Sequence, residues 1–341
     1  MAALRFPRAG VDRIRLSPVG RRRRHPKHHQ VLADGDDGDV GKNLFSPPER
    51  ILTFTRTRDR RLERRSYRWI AQYRDRTASD APTIDILYQP TAPYLPLFQV
   101  ELRASMHRLL DWETILRLSE VIEGDLGGMM VREVEITADF PIDAVDHRTL
   151  RELAYFPRIG GCVHWGRAKA KQDCVDRTTS SVYGARESNR LARIYRKEED
   201  GLSVTRVELR LCRDALKAIG VASPQSLVDV SWSEVMERAI KLLKFDPPAG
   251  ALFQGVPADL DALVIRLRGL HAILRDATPE RRRFLRRHLT PHAIGTQLVA
   301  LVQSALDPHS VRHRAEHRDT GEPSLDFSDR EALQDCVDGS R

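Results

Sequence analysis

No apolar run in this 341-residue chain approaches the roughly 18 residues that a membrane-crossing helix needs, and no apolar core follows the arginines of the N-terminus. Neither a transmembrane segment nor a secretory signal is supported, and the expected location is the cytoplasm. Cysteine is scarce. Cys162, Cys174, Cys212 and Cys336 are scattered with no CxxC pair, so reduced, buried thiols are expected rather than a disulfide framework or a zinc site. No internal repeat is present. Acidic residues are the minority charge, 48 against 56 Lys and Arg for a net charge of +8. That balance favours polyanionic partners such as nucleic acid without identifying one. What the chain does have is 41% hydrophobic residues, enough for a globular protein with an ample core.

Composition divides the chain into four stretches. Residues 1–48, with "GRRRRHPKHHQ" followed by "ADGDDGDVG", are expected to be a disordered tail. His25, His28 and His29 there lack partner carboxylates, which argues against a metal site. Residues 49–218 alternate strand-like segments ("TIDILYQP", "PLFQVELRA", "MMVREVEITADFPID", "GCVHWGRA", "LARIYRKEED", "SVTRVELRLC") with the helix-like "SMHRLLDWETILRLSEVIEG" and "DHRTLRELAYF". Hairpin-joined strands with occasional helices predict an α+β domain with a largely antiparallel sheet. Residues 219–310 predict helices over "SWSEVMERAIKLLKF", "DLDALVIRLRGLHAIL", "TPERRRFLRRHL" and "TPHAIGTQLVALVQSAL", each with a plausible N-cap or first-turn proline. Residues 311–341 are polar and read as a frayed tail.

Successive strand residues face opposite sides of a sheet. Leu191, Arg193, Tyr195 and Lys197 therefore share one face, and Arg206, Glu208 and Arg210 share the face opposite Val207, Leu209 and Leu211. Glu133, Glu135, Thr137 and Asp139 likewise line one side of their strand. Acidic residues at two-residue intervals repel unless something positive lies between them. Magnesium or manganese would serve, held for instance by Glu135, Asp139 and Glu208. The same alternation also describes a solvated face of Arg–Glu pairs worth a few tenths of a kcal/mol each, and strand tyrosines commonly serve for bulk alone. A phosphodiester substrate would make the constellation coherent. A phenol with pKa about 10 needs nearby positive charge to attack, and so does the phosphate it attacks.

The ordered segments "VYGARESNRLARIYRKEED" and "RVELRL" resemble the replication initiation factor (Rep_trans) family, which comprises plasmid rolling-circle initiators and relaxases of integrative conjugative elements. Its Tyr-(x)-Gly-x-Arg-x-Ser turn is matched, one residue shorter after the tyrosine, by Tyr183, Gly184, Arg186 and Ser188, its Arg-Ile-Tyr-x-Lys strand by Arg193, Ile194, Tyr195 and Lys197, and its Arg-x-Glu strand by Arg206 and Glu208. The upstream acidic strand is similar to "EITADF", with Glu135, Asp139 and Phe140, and "FQVELR" offers Glu101 as a fourth acidic contributor. The likeness spans roughly residues 80 to 215 and rests on several motifs in order.

The resemblance implies that Tyr195, not Tyr183, is the nucleophile of a DNA strand-nicking and rejoining enzyme. It further implies catalytic roles for Arg193, Lys197 and Arg206, and a Mg²⁺ or Mn²⁺ ion on Glu135, Asp139 and Glu208. The products would be a 5′-phosphotyrosine link and a free 3′-hydroxyl. Implied partners are origin DNA, single-stranded or in a hairpin at the nick site, a helicase and a second copy of the chain, with no membrane. DNA contacts are expected from Arg186 and Ser188, and from Arg281, Arg282 and Arg286 in the basic helix that also carries Arg283 and Arg287. Arg60, Arg61, Arg64 and Arg65 form a second basic stripe. The competing readings are a non-catalytic DNA-binding regulator of a plasmid, phage or integrative element, and a partner-recruiting protein dominated by its helical half.

Overall fold

The structure is a computed structural model that describes residues 6–19, 54–61, 66–75, 81–105, 108–126, 128–143, 145–157, 163–165, 180–184, 188–199 and 202–307. The fold is α+β, as the alternation predicts. In chain order its first strands are β1 (Arg8–Pro18), β2 (Phe54–Arg61), β3 (Tyr67–Asp75), β4 (Thr83–Pro90), β5 (Phe98–Arg103), β6 (Met129–Pro141), β7 (Ala154–Tyr155), β8 (Val163–Trp165), β9 (Ser180–Tyr183), β10 (Arg190–Glu199) and β11 (Leu202–Cys212). All but β7 join one ten-stranded sheet in the order β2-β3-β4-β5-β1-β6-β11-β10-β9-β8, and every pairing is antiparallel.

The expected disordered tail over 1–48 is corrected at its start. Arg8–Pro18 is a central strand, inserted between β5 and β6. Its "RIRL" run places Ile14 and Leu16, both fully buried, on the core face, with Arg13 and Arg15 on the other. A register shift between Val11 and Arg13 leaves Asp12 as the extra residue of a bulge and adds Val11 to the core.

One face of the sheet is apolar and is covered by helices. Val11, Ile14, Val100, Leu102, Val134, Ile136, Val207 and Leu209 form one core with Trp112, Ile115 and Leu118 of α1 (Trp112–Leu126). Shorter helices follow as α2 (His147–Leu153) and α3 (Asp214–Lys217). In the C-terminal part come α4 (Trp232–Ala239), α5 (Ala258–Arg268), α6 (Leu270–Asp276), α7 (Pro279–Arg287) and α8 (Ala293–Leu306). Trp232 and Met236 of α4 and Val302 and Leu306 of α8 belong to the same core as the sheet. By contrast, Ile265, Leu270, Ile273, Leu274 and Leu285 gather α5, α6 and α7 around a second, smaller core.

Of the expected helices, "DHRTLRELAYF" ends at Leu153, where Ala154–Tyr155 becomes β7, and two more are interrupted within. "SWSEVMERAIKLLKF" stops being helical at Ala239, and Lys241–Phe245 becomes strand β12, which pairs with β7 and with β15 (Leu289–Pro291). The second is cut by Gly269 at φ 83°, where a Cβ would lie 2.9 Å from the Arg151 carbonyl oxygen. Only glycine allows both that backbone conformation and that approach. Between α4 and α5 a small hairpin, β13 (Leu252–Phe253) and β14 (Val256–Pro257), turns through Gln254 and Gly255, both at positive φ, the signature of a type I′ turn.

The end of α8 fastens the helical layer. The buried Asp307 carboxylate accepts hydrogen bonds from Trp232 N at 2.6 Å, Ser233 N at 3.1 Å and the Ser233 hydroxyl, and so caps α4. Trp112 Nε1 donates to the Leu306 carbonyl at 2.7 Å, with the Trp112 and Trp232 rings 5.2 Å apart. Removing a buried cap strands two backbone donors as well as a hydroxyl. Asp307→Ala is therefore expected to cost about 2–3 kcal/mol in urea unfolding, and Asp307→Asn less, since an amide oxygen still accepts; equal losses would count against the capping role.

Candidate active site on the charged sheet face

The face turned away from the helices carries a lattice of charge laid out by strand alternation. Cross-strand register sets Arg13 opposite Glu135 and Arg15 opposite Glu133 on one side, and Arg15 opposite Glu101 on the other. Further across, Arg206 faces Asp139 and Arg193 faces Glu208. Arg15 reaches Glu101 at 2.6 Å and Glu133 at 3.1 Å, Arg13 reaches Glu135 at 2.5 Å and Glu133 at 2.9 Å, and Arg103 reaches Glu101 at 2.6 Å and Asp85 at 3.1 Å. The carboxylates are the floor of this lattice: Asp85, Glu101, Glu133, Glu135, Asp139 and Glu208 are all buried. Burial alone would raise the pKa of Glu101, yet Arg15 and Arg103 outweigh it and hold the group below the usual range.

Tyr195 stands at one end of the lattice. Its hydroxyl donates to Glu208 Oε2 at 3.1 Å, while Arg193 Nη1 donates to Glu208 Oε1 at 2.7 Å and lies 3.4 Å from Glu135 Oε1. Desolvation, then the Glu208 carboxylate beside it, raises the phenol well above its ordinary pKa, with Arg206 opposing. Glu135 and Glu208 hydrogen-bond to each other. Burial and that neighbour push Glu208 up to about 9, whereas hydrogen bonding from Glu208 and the charges of Arg13 and Arg193 overcome burial and lower Glu135. The pair thus keeps one proton between two carboxyl groups through neutral pH.

Glu135 and Glu208 are the adjoining carboxyl groups that could hold a divalent cation, which would have to displace Arg13, Arg193 and Tyr195 from their oxygens. Asp139 is placed differently. Its Oδ1 and Oδ2 receive Arg206 Nε at 2.6 Å and Nη2 at 2.8 Å, and Oδ2 also receives Arg8 Nε at 3.1 Å. Arg206 itself is almost fully buried and spends its remaining nitrogen on Asp12 at 2.9 Å. Among the described residues no group of three or more His, Cys, Asp or Glu side chains converges as metal ligands would. Glu101 lies on β5, separated from Glu135 and Glu208 by β1. Lys197 follows Tyr195 two residues along the same face and is half-buried.

Tyr183 is part of the core. It is 2% exposed, its ring lies 4.2 Å from Phe156 and 5.4 Å from His271, and desolvation raises its pKa. Gly184 follows at φ 97°. Ser188 closes the turn onto β10, donating to the Arg190 carbonyl at 2.5 Å and accepting from Arg190 N at 3.1 Å. Arg186, Arg64 and Arg65 lie outside the described residues, as do Cys162, Cys174 and Cys336; Arg60 and Arg61 belong to β2. Cys212 is free and half-buried beside Glu133, and burial with that carboxylate pushes its thiol up to about 12.

The basic helix α7 spends several of its arginines internally. Arg281 pairs with the buried Asp261 of α5, and Arg282 donates to the carbonyls of Leu274, Arg275 and Ala277 at 2.8, 3.2 and 3.0 Å, capping the end of α6. Arg286 donates to the Tyr155 hydroxyl at 2.9 Å. Arg283, Arg286 and Arg287 are its exposed cations.

Sequence reasoning missed the residues of β1. Arg8, Asp12, Arg13 and Arg15 hold Asp139, Arg206, Glu135, Glu133 and Glu101 in place, and the alternation in "VDRIRLSP" is the signal that could have found them. No protein-family model matches this chain, and no curated protein matches it at a significant level.

Proposed function

We propose that the charged face nicks and rejoins a DNA strand through Tyr195, as a rolling-circle initiator or relaxase does. The observation that supports this reading most is the Tyr195–Glu208 hydrogen bond flanked by Arg193 and Arg206: a nucleophile, a proton acceptor and cations for a phosphate on one surface. In this reading the Glu135–Glu208 pair first gives up the proton it shares, Glu208 then takes the Tyr195 proton, and the phenol oxygen bonds to phosphorus. The bond from phosphorus to the 3′ oxygen breaks and its electron pair leaves with that oxygen, which takes up a proton. The resulting 5′-phosphotyrosine is reversed by attack of a 3′-hydroxyl. Arg193 is one-third exposed, so it can turn from Glu208 to a phosphate oxygen and offset the developing charge. Arg206, locked on Asp139 and Asp12, acts from beneath as a fixed positive charge below Tyr195. Lys197 adds a cation further along the strand. A Mg²⁺ or Mn²⁺ ion held by Glu135 and Glu208 would supply charge neutralisation at the phosphate and replace the proton the two carboxyls share.

The test uses the full chain with supercoiled and hairpin DNA from its flanking genomic region, with Mg²⁺ or Mn²⁺, and reads covalent protein–DNA adduct on a denaturing gel. Wild type and Tyr183→Phe should form adduct, and Tyr195→Phe should lose it by roughly a thousandfold or more while still binding DNA. Binding without any adduct in wild type would favour the regulator reading, for which the raised phenol pKa and the ion-paired carboxylates already speak. The cation has a readout of its own. With one proton displaced per ion, Mn²⁺ affinity measured by calorimetry should rise about tenfold per pH unit between pH 6 and 8, and Glu135→Gln should abolish it; a pH-independent affinity would sink the shared-site assignment.

A further inference from the structure

The helix α5 carries an apolar stripe that no described residue covers. Leu260, Leu263 and Leu267 are 51%, 48% and 64% exposed, while Ile265 of the same helix is buried in the smaller core. Their spacing of three and four residues puts them on one side of the helix, away from Ile265. The β13–β14 hairpin at the N-terminal end of that helix leaves Leu252 59% exposed, on the face opposite Phe253 and Val256, where the Phe253 ring lies 5.4 Å from Phe284 of α7. Exposed leucines in isolation need no explanation, but a continuous stripe on a packed helix does.

The charges beside the stripe select its occupant. Asp259 and Arg266 are both exposed, and seven residues apart they flank the leucines on the same side of α5. In a parallel pairing of two such helices, like charge would face like. An antiparallel pairing about a two-fold axis through Leu263 instead stacks Leu260 on Leu267 of the other copy and brings Asp259 to Arg266 of the other copy, twice by symmetry. We infer that α5 is a self-complementary docking surface through which two copies of this chain associate antiparallel. An 11-residue helix is about 16 Å long, too short for a permanent interface of its own, so the dimer is weak and concentration-dependent.

Sedimentation velocity on the full chain over a range of protein concentrations tests this. A monomer–dimer equilibrium is expected, and Leu263→Glu should abolish it; because Leu263 is exposed, an unchanged thermal transition will show that the variant is folded. Asp259→Arg and Arg266→Asp should each weaken association about tenfold, and the double variant Asp259→Arg/Arg266→Asp should restore it, since the reversed charges meet again. A chain that stays monomeric at every concentration reached overturns the proposal, as does a dimer indifferent to Leu263→Glu. Failure of the double reversal to restore association rejects the antiparallel pairing, and capture of a heterologous partner by a wild-type chain that remains monomeric assigns the stripe to that partner instead.

Discussion

A chain that begins at residue 49 is expected to show no cooperative unfolding transition and to collect in the insoluble fraction. Truncation there removes β1 from the middle of the sheet. Val11, Ile14 and Leu16, all at 0% exposure, each contribute about 1.5–3 kcal/mol by burial, a sum comparable with the whole stability of a typical domain. The polar side fares worse. Glu101, Glu133 and Glu135 would lose Arg13 and Arg15, leaving buried carboxylates with reduced compensation. The facing edges of β5 and β6 would also be opened to pairing with other chains. Addition of a synthetic peptide covering residues 6–19 should recover soluble, cooperatively folding protein. A truncated chain that unfolds cooperatively within about 1 kcal/mol of the full one, against the several kcal/mol of burial at stake, would show that β1 is dispensable.

The second large effect is expected at Arg206. Its guanidinium and the Asp139 carboxylate are almost completely buried and doubly hydrogen-bonded, so Arg206→Met leaves Asp139 with Arg8 alone. Removing one partner of a buried pair typically costs about 3–5 kcal/mol, whereas replacing both by apolar side chains of similar volume is close to neutral. The single variants Arg206→Met and Asp139→Leu should therefore each lower the urea midpoint strongly, and the double variant should regain more than half of the loss. Nearly additive losses would mean that the two groups are not coupled as their geometry indicates.

Periodicity carried much of this fold because most of its strands expose one face to charge and the other to the core. Val207, Leu209 and Leu211 against Arg206, Glu208 and Arg210 is a pattern that only a two-faced strand satisfies. The strand β1 has the same pattern, but it stands beside a long Arg-, His- and Gly-rich stretch whose composition dominates any wide window. Helix ends were less legible. In "MERAIKLLKF" the apolar spacing suits a helix through Leu243, yet Lys241–Phe245 pairs with strands on both sides, and those partners are distant in sequence.

The site shows the same limit. Alternation could place Tyr195, Arg193, Glu135 and Glu208 on one surface, but not say which carboxylate each arginine takes. Asp139 looks like Glu135 in sequence. Only the register separates Asp139, doubly bonded to Arg206 and met by Arg8, from Glu135, which meets Arg13 and Arg193 and adjoins Glu208. The arginines of α7 are similar: five in seven residues read as a DNA contact, and three-dimensional packing turns Arg281 and Arg282 inward to Asp261 and to the end of α6.

The position of β1 also dictates an order of events during synthesis. Arg8 bonds to Asp139 across 131 positions, and Asp12 to Arg206 across 194. During synthesis β1 therefore cannot complete its contacts until β5, β6 and β11 have been made. Non-local closure of this kind slows folding, and it leaves "GVDRIRL" as an unpaired β-forming segment for many seconds at ordinary elongation rates. Its closely spaced Asp12, Arg13 and Arg15, one day the anchors of the charged face, are in that interval the gatekeepers that keep the waiting strand from pairing with the wrong chain.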